Sequence, residues 1–235
     1  MEEGLEKGRR VCVTGAGGYV ASWLIKLLLC HGYQVHGTVR DPSDKRNSHL
    51  MKLDKASENL RLFKVELIDY DSVLAAIAGC EGVFHLASPV PATKVPNPEA
   101  EVIVPAVSGT LNVLKACSAL RVKRAVVVSS VAAVAIKPQW PDGKVMDEES
   151  WSDKEYCRIT EEWYCLSKTM AEADAFGVWT ETWTRCYNCL PIFGYWTYVA
   201  TKCQCKQLVS HHYSERNLQI NGGQNPSHCG CSRFS

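Results

Sequence analysis

The sequence predicts an α/β fold with a doubly wound parallel sheet, and two observations support this prediction. Short β-branched or apolar runs alternate with segments that have apolar residues at helical spacing. The run at residues 124–130, R-A-V-V-V-S-S, is mostly apolar, which is typical of a strand covered by helices on both faces. With 235 residues, the chain is long enough for one such domain with a sizeable core.

Residues 10–29 contain a strand, a glycine turn and the start of a helix (R-V-C-V-T-G-A-G-G-Y-V-A-S-W-L-I-K-L-L-L). Gly15, Gly17 and Gly18 have no Cβ, so a pyrophosphate can approach the N–H groups at the positive end of the helix dipole. Ala21 completes a G-x-x-G-x-x-A pattern and lets the helix lie close to the strand. We therefore expect a Rossmann dinucleotide site; an ordinary glycine-rich loop is the alternative.

The second predicted strand, residues 34–39, ends in Arg40-Asp41-Pro42. The end of this strand is where a Rossmann site meets the adenosine ribose. Arg40, Lys45 and Arg46 form a basic cluster suited to a 2′-phosphate, so we expect NADP(H) rather than NAD. Asp41 is counter-evidence, because an acid there binds a free 2′-hydroxyl, and a solvated basic loop is the alternative.

Three further strands are predicted at residues 60–67, 82–87 and 124–130. Glu66 falls near the adenine edge of the presumed site. The end of the fourth strand, Leu86-Ala87-Ser88, would run under the cofactor. Helices are predicted at residues 71–78, from Pro98 to about Leu120 with a kink near Pro105, and from about residue 153 onwards.

The last of these helices contains Tyr164 and Lys168, which lie four residues apart and so share one face. An ammonium one turn from a phenol favours the phenolate, so we expect Lys168 to lower the pKa of Tyr164. Ser130 ends the fifth strand, where ligands bind in open α/β sheets, and can donate a hydrogen bond to a substrate carbonyl. Taken alone, a Y-x-x-x-K pair is a common surface pairing; here it follows the dinucleotide turn, the basic cluster and Ser130 in order.

These features resemble an extended short-chain dehydrogenase/reductase, and the chain looks most similar to the cinnamoyl-CoA reductase-like and dihydroflavonol reductase-like enzymes of plants. The resemblance extends to about Phe176. It rests on V-T-G-A-G-G-Y-V-A-S-W-L (13–24), T-V-R-D-P (38–42), V-F-H-L-A-S-P-V (83–90), G-T-L-N-V-L (109–114), V-V-S-S (127–130) and W-S-D-K-E-Y-C…W-Y-C-L-S-K (151–168).

The resemblance implies a catalytic triad of Ser130, Tyr164 and Lys168. Tyr164 would protonate the carbonyl oxygen as hydride leaves the nicotinamide, and Lys168 would also bind the nicotinamide ribose. Asn112 matches a family position, although a helix-packing role is an equal alternative. The expected cofactor shell comprises Gly15, Gly17, Gly18, Tyr19, Val20, Arg40, Lys45, Arg46, Glu66, Leu67, Leu86, Ala87, Ser88 and Lys168.

The chain departs from the family pattern near the triad. Leu166 and Ser167 replace the usual Y-G of W-Y-C-Y-G-K, and A-A-V-A follows at residues 132–135 where the family often has G-A-V-Y. Both reduction of a CoA thioester and reduction of an aldehyde or ketone therefore stay open. Cys157 and Cys165 form either a redox-sensitive pair or two reduced thiols, and reduced thiols are expected in a cytosolic chain.

Residues 177–235 lack the family's last strands and its small substrate domain, and they contain six of the twelve cysteines. Suitable codons for residues 183–209, read one base out of register, would encode a family-like string with V-C-P and G-P. We interpret this tail as a candidate frameshifted translation and expect it to be poorly ordered. The alternative is a zinc tail, although the spacing lacks paired C-x-x-C knuckles. Its ligands would be Cys186, Cys189, Cys203, Cys205, His211, His212, His228, Cys229 and Cys231.

Charge and composition limit the partners. The net charge of +1 gives no electrostatic reason to expect nucleic acid or a membrane surface. The acidic N-terminus does not resemble a secretory signal, and Lys26 interrupts the best apolar run, so we expect a cytosolic protein without a membrane span. We also expect no resident metal. Two functions are open: reduction of a small carbonyl or CoA-thioester substrate, and a truncated, catalytically inactive NADP-binding module.

Overall fold

The computed structural model describes residues 9–91, 95–141, 143–146, 150–178 and 192–194. Six parallel strands form one sheet in the order β3-β2-β1-β4-β5-β6. The strands are β1 (Arg10–Thr14), β2 (Gln34–Val39), β3 (Leu60–Lys64), β4 (Gly82–His85), β5 (Arg124–Val128) and β6 (Ile192–Gly194). The order reverses between β1 and β4, which creates the crevice where open α/β sheets bind ligands. The doubly wound Rossmann fold is confirmed.

Helices cover both faces of the sheet. They are α1 (Tyr19–Cys30), α2 (Ala56–Asn59), α3 (Tyr70–Ile77), α4 (Val104–Ala119), α5 (Lys154–Ile159) and α6 (Trp163–Val178). Successive residues of β1 point to opposite faces: Val11 and Val13 pack with Ile25 of α1, whereas Cys12 packs with the residues of α3 and α4. This double burial explains why the strands read as continuous apolar runs.

The sheet extends one strand further than expected. We expected no strand after α6, yet β6 pairs in parallel with β5, with Val126 opposite Ile192 and Val128 opposite Gly194. The edge of β5 offers a row of backbone N–H and C=O groups, and a short run with one β-branched and one aromatic residue satisfies them. The predictions of tail disorder and of a zinc tail concern residues that otherwise lie outside the described part of the chain.

Several predicted elements have different ends in the structure. β4 stops at His85 because the next two N–H groups donate to a side chain, Thr14 Oγ1, rather than to a neighbouring strand. The helix predicted from residue 153 is broken between α5 and α6, where Glu161 has a φ of 57°. Before Pro105 the chain makes a wide π-helical turn, Glu99–Ile103, since proline has no N–H to close an ordinary turn.

The helical segment Glu99–Ala119 has a mean hydropathy of 1.4 and a length sufficient to span a membrane, and half of its apolar window is buried. It packs against α3 and α6. These contacts account for its apolar composition as a helix of the domain core.

Candidate active site

The glycine turn after β1 is held by the end of β2. Gly15 has a φ of 68°, and a Cβ there would lie 3.0 Å from Ala87 Cα. The Gly15 N–H donates to Thr38 Oγ1 (3.2 Å) and the Ala16 N–H donates to the Thr38 carbonyl (2.8 Å). The turn therefore needs glycine for both its backbone angle and its close approach to β4.

The N-terminus of α1 opens onto this turn. Its N-cap, Gly18, makes no side-chain capping hydrogen bond, and the first turn of α1 has no acidic residue. Tyr19 and Val20 follow and are exposed. The first N–H groups of the helix are thus available to an anion, which the helix dipole also favours.

A short loop after β2 covers the turn. Asn47 Oδ1 lies so close to Gly17 that any Cβ there would clash with it, and Asn47 Nδ2 donates to the Asp41 carbonyl at 2.9 Å. His49 Nε2 lies 2.9 Å from Ser22 Oγ of α1, which ties the same loop to the helix. The space at position 17 is thus limited by a side chain 30 residues away in sequence, which the sequence pattern did not show.

The three basic residues predicted at the ribose corner lie in this loop and are exposed. Arg46 donates from Nη2 (2.6 Å) and Nε (2.9 Å) to Asp44 Oδ2, whereas Arg40 and Lys45 project from the loop surface. Asp41 accepts hydrogen bonds from the Ser43 hydroxyl (2.7 Å) and N–H (2.9 Å), and these bonds lower the pKa of its carboxyl. The carboxyl of Asp41, which was the evidence against NADP(H), is therefore hydrogen-bonded within its own loop.

The segment after β3 is anchored to α4. Asn112 Nδ2 donates to the Leu67 carbonyl at 2.9 Å, and Gly109 lies against Leu67, where a Cβ would come within 2.7 Å of Leu67 Cβ. Glu66 is exposed beside it. The structure thus gives Asn112 a role in fixing Leu67.

A buried chain of hydrogen bonds supports the end of β4. Thr14 Oγ1 accepts from the N–H groups of Leu86 and Ala87, each at 3.0 Å, so its own proton points to His85 Nδ1 at 2.8 Å. His85 Nε2 then bears a proton and donates to Thr110 Oγ1 at 3.1 Å. Thr110 donates in turn to the Ala106 carbonyl at 2.7 Å.

His85 is neutral in this chain. Burial and, to a smaller extent, the nearby charge of Lys168 lower the pKa of His85 to about 3. The ring therefore acts as a fixed, uncharged link between β1, β4 and α4.

The predicted catalytic residues lie at the end of β5 and on α6. Ser130 Oγ accepts from the Ala132 N–H at 3.2 Å and caps the 3₁₀ turn Val131–Ala133. Tyr164 is half-buried, and Lys168 follows one turn later with 8% of its surface exposed. Lys168 Nζ donates to the Val128 carbonyl at 3.4 Å, which attaches α6 to the end of β5, two residues before Ser130.

The side chain of Lys168 is buried, and its burial changes its pKa. Burial lowers the pKa of Lys168 to about 8, and the negative charge of Glu172 acts in the opposite direction. A small cavity brings Lys168 together with His85, Ala87, Ser88 and Glu172. Ser88 Oγ is buried and has no hydrogen-bond partner within the described residues, so it is available to a bound molecule.

The two cysteines near α6 are free thiols. Burial raises the pKa of both, that of Cys165 to about 11, so neither is activated as a thiolate. Among the residues that the structure describes, no group of three or more His, Cys, Asp or Glu side chains could hold a metal ion.

The arrangement fits a dinucleotide. A glycine turn closely approached by Ala87 lies at a helix N-terminus without a side-chain cap, and an exposed basic loop lies beyond it. At the other end lies Ser88 Oγ, a buried hydroxyl that has no hydrogen-bond partner among the described residues. Residues 11–193 match the model of the NAD dependent epimerase/dehydratase family. The chain belongs to this family.

Curated relatives match this chain over about half of their own length. It is 49% identical to cinnamoyl-CoA reductase 2 of Medicago truncatula over 168 residues, which are 72% of this chain and 48% of that protein. Tetraketide alpha-pyrone reductase 1 of Arabidopsis thaliana is 46% identical over 186 residues, 78% of this chain and 57% of that protein. The chain spans about half the length of the curated relatives that it matches.

Solved structures show the same fold. Vestitone reductase from alfalfa (Medicago sativa) superposes with a TM-score of 0.64 at 37% identity, covering 78% of this chain and 56% of that one. Yeast methylglyoxal/isovaleraldehyde reductase complexed with NADPH superposes with a TM-score of 0.65 at 26% identity, covering 74% and 54%. The resemblance inferred from the motifs is confirmed at the level of the family.

Some residues that shape the site were not among those predicted from the sequence. They are Thr14, Thr38, Asn47, His85, Thr110 and Glu172. The sequence offered a signal for His85, because a polar residue inside an apolar strand indicates a buried hydrogen bond. The others depend on contacts between distant elements.

Proposed function

We propose that the protein is an NADPH-dependent reductase of a phenylpropanoid-type carbonyl. The observation that supports this best is the attachment of Lys168 to the Val128 carbonyl. It brings the helix that contains Tyr164 to the end of β5, where Ser130 begins its turn. Residues 1–176 would form the cofactor-binding and catalytic part, and the short β6 adds an edge strand to its sheet.

The cofactor proposal rests on the loop after β2. Exposed Arg40 and Lys45 suit a 2′-phosphate, with Arg46 available if its bond to Asp44 is exchanged. The N-terminus of α1 suits the diphosphate, and Ser88 and Lys168 suit the nicotinamide end. The yeast reductase that shares this fold is complexed with NADPH.

When bound, NADPH would supply the hydride that the carbonyl carbon accepts. Tyr164 donates its hydroxyl proton to the carbonyl oxygen. Ser130 has one lone pair occupied by the Ala132 N–H, so its own proton is free to orient the same oxygen. Lys168, as a cation, stabilises the phenolate left on Tyr164. An aldehyde or ketone would give an alcohol. A thioester would give a hemithioacetal, in which the C–S bond breaks and the hydroxyl proton passes to the departing thiolate, so that the products are an aldehyde and the CoA thiol.

The relatives favour a substrate of the cinnamoyl type. Five of the curated cinnamoyl-CoA reductases are 46–50% identical to this chain over about half of their own length. Vestitone reductase is a reductase that shares the fold. Leu166, where the family usually has tyrosine, is fully buried and packs with Ile103 and Cys157. A cytosolic location fits two reduced thiols at Cys157 and Cys165.

The proposal is tested by NADPH oxidation in the presence of a hydroxycinnamoyl-CoA thioester and of the corresponding aldehyde. Turnover of either one that falls at least about 100-fold in Tyr164→Phe supports the reductase, since general acids typically contribute that much. Tyr156→Phe on exposed α5 is the matched control. NADPH binding without turnover of either substrate would instead favour the inactive NADP-binding module.

A further inference from the structure

Glu172 is a buried acid that the mechanism above does not use. Tyr164, Lys168 and Glu172 follow one another at four-residue spacing, so they occupy one face of α6 on successive turns. Only 4% of the Glu172 surface is exposed. A carboxyl at such a depth is costly unless it is hydrogen-bonded or paired with a charge, so its presence needs an explanation.

Glu172 is bonded to the strand that presents Ser130. Ser129 Oγ donates to Glu172 Oε2 at 2.5 Å, and Ser129 is the residue directly before Ser130. Together with the bond from Lys168 to the Val128 carbonyl, two successive turns of α6 are attached to two successive residues at the end of β5. These two hydrogen bonds together fix the position of Lys168 relative to Ser130.

Glu172 also supplies the counter-charge for Lys168. The cavity that both side chains line receives His85 from β4, Thr110 from α4, and Val127, Val128 and Ser129 from β5 and its end. His85 is neutral and the others are uncharged. Within the described part of the chain, Glu172 is therefore the acid that faces Lys168 in this cavity, and it opposes the effect of burial on the ammonium.

We propose that Glu172 is a positioning residue for the active site. It keeps Lys168 in its cationic form and fixes the position of Lys168 relative to Ser130. This inference rests on the role proposed above for Lys168 as the neighbour of the proton donor. Glu172 does not touch the reacting atoms; it acts through Lys168 and Ser129.

The test replaces the charge while keeping the shape. Glu172→Gln retains an oxygen that can accept from Ser129 but removes the negative charge, and Asp174→Asn on the exposed side of α6 is the matched control. The titration of Lys168 is followed by NMR of ¹³Cε-labelled lysine in the 235-residue chain, with Lys168→Met to assign the signal. This readout does not require turnover.

We expect Lys168 to titrate at least one pH unit lower in Glu172→Gln than in the unaltered chain, and at the same pH in Asp174→Asn. The alkaline limb of kcat should move in the same direction, because deprotonated Lys168 no longer stabilises the phenolate, while KM for the carbonyl stays within about twofold. An unchanged Lys168 titration in a folded Glu172→Gln variant would overturn the inference.

A variant that does not fold and a chain that shows no turnover each have to be distinguished from failure of the proposal for Glu172. If Glu172→Gln does not fold, as judged by circular dichroism, Glu172→Asp retains the charge but withdraws it by one methylene. A smaller shift in the same direction is then expected, and no shift would contradict the proposal. If the unaltered chain shows no turnover, the proposed reductase function fails, whereas the Lys168 titration still decides the role of Glu172.

Discussion

Thr14 at the end of β1 and His85 at the end of β4 are joined by a buried hydrogen bond, with Thr14 Oγ1 lying 2.8 Å from His85 Nδ1. Thr14 also receives the first two N–H groups beyond β4, so one hydroxyl sets the path of the chain along the floor of the site. The direction of the bonds requires the Nε2–H tautomer of His85, and protonation would force two donors against each other at Nδ1.

Stability should therefore fall with acid through His85. Its pKa is about 3 in the folded chain and near 6.5 when unfolded, so between these values the unfolded state takes up a proton that the folded state does not. Stability from this group is complete above pH 6.5 and is lost as the pH falls, at up to about 1.4 kcal/mol per pH unit. Urea denaturation at pH 6.5 and pH 5 measures it.

The matched variants are His85→Asn and His31→Asn, the latter at the exposed residue directly after α1. Between pH 6.5 and 5, the chain with His85 should lose about 1–2 kcal/mol more than His85→Asn. His31→Asn should behave as the unaltered chain. Equal losses in all three would show that His85 is not the buried neutral link.

The glycine turn allows a steric comparison. Gly15→Ala and Gly32→Ala both place a Cβ on backbone with φ near 70–80°, but position 32 has open space whereas position 15 faces Ala87 Cα at 3.0 Å. We expect Gly32→Ala to cost about 1–2 kcal/mol from backbone conformation alone. Gly15→Ala should cost a further 1–3 kcal/mol or so from overpacking, measured by thermal or urea unfolding. Equal costs would contradict the close approach of the turn to β4.

Arg40 should determine the preference between cofactors. Arg40→Ser is expected to weaken NADPH binding about 10-fold or more and to leave NADH binding unchanged, because a charge-assisted bond to phosphate is lost. Arg46→Ser should cost less, since Arg46 must first leave Asp44. Lys52→Ser, also exposed after the same loop, is the control. Equal loss of both cofactors in Arg40→Ser would contradict a role at the 2′-phosphate.

Asn112 should stabilise the segment after β3. Asn112→Leu removes the donor to the Leu67 carbonyl, and a partly buried carbonyl without a partner costs about 1–3 kcal/mol. Urea unfolding measures this loss, with exposed Lys115→Ala on the same helix as control. A variant as stable as the unaltered chain would show that the bond contributes nothing.

The parts of the fold that depend on local pattern could be predicted from the sequence. The predicted bounds of β2, residues 34–39, agree with the structure, because the strand ends where the charged pair Arg40-Asp41 begins. The glycine turn follows from residue type alone. The chain from Thr14 through His85 to Thr110 could not be predicted, since it joins residues that are 71 and 25 positions apart. The same holds for Asn47 over Gly17 and for Ser129 with Glu172. These contacts exist only once the elements on either side of each one have been assembled.

The most direct test of the account is an equilibrium titration of the 235-residue chain with NADPH and with NADH at one ionic strength. We expect saturable binding of NADPH that is at least about 10-fold tighter than binding of NADH, because one charge-assisted bond to the 2′-phosphate contributes about that much. Absence of saturable binding of either nucleotide to the folded chain would contradict it.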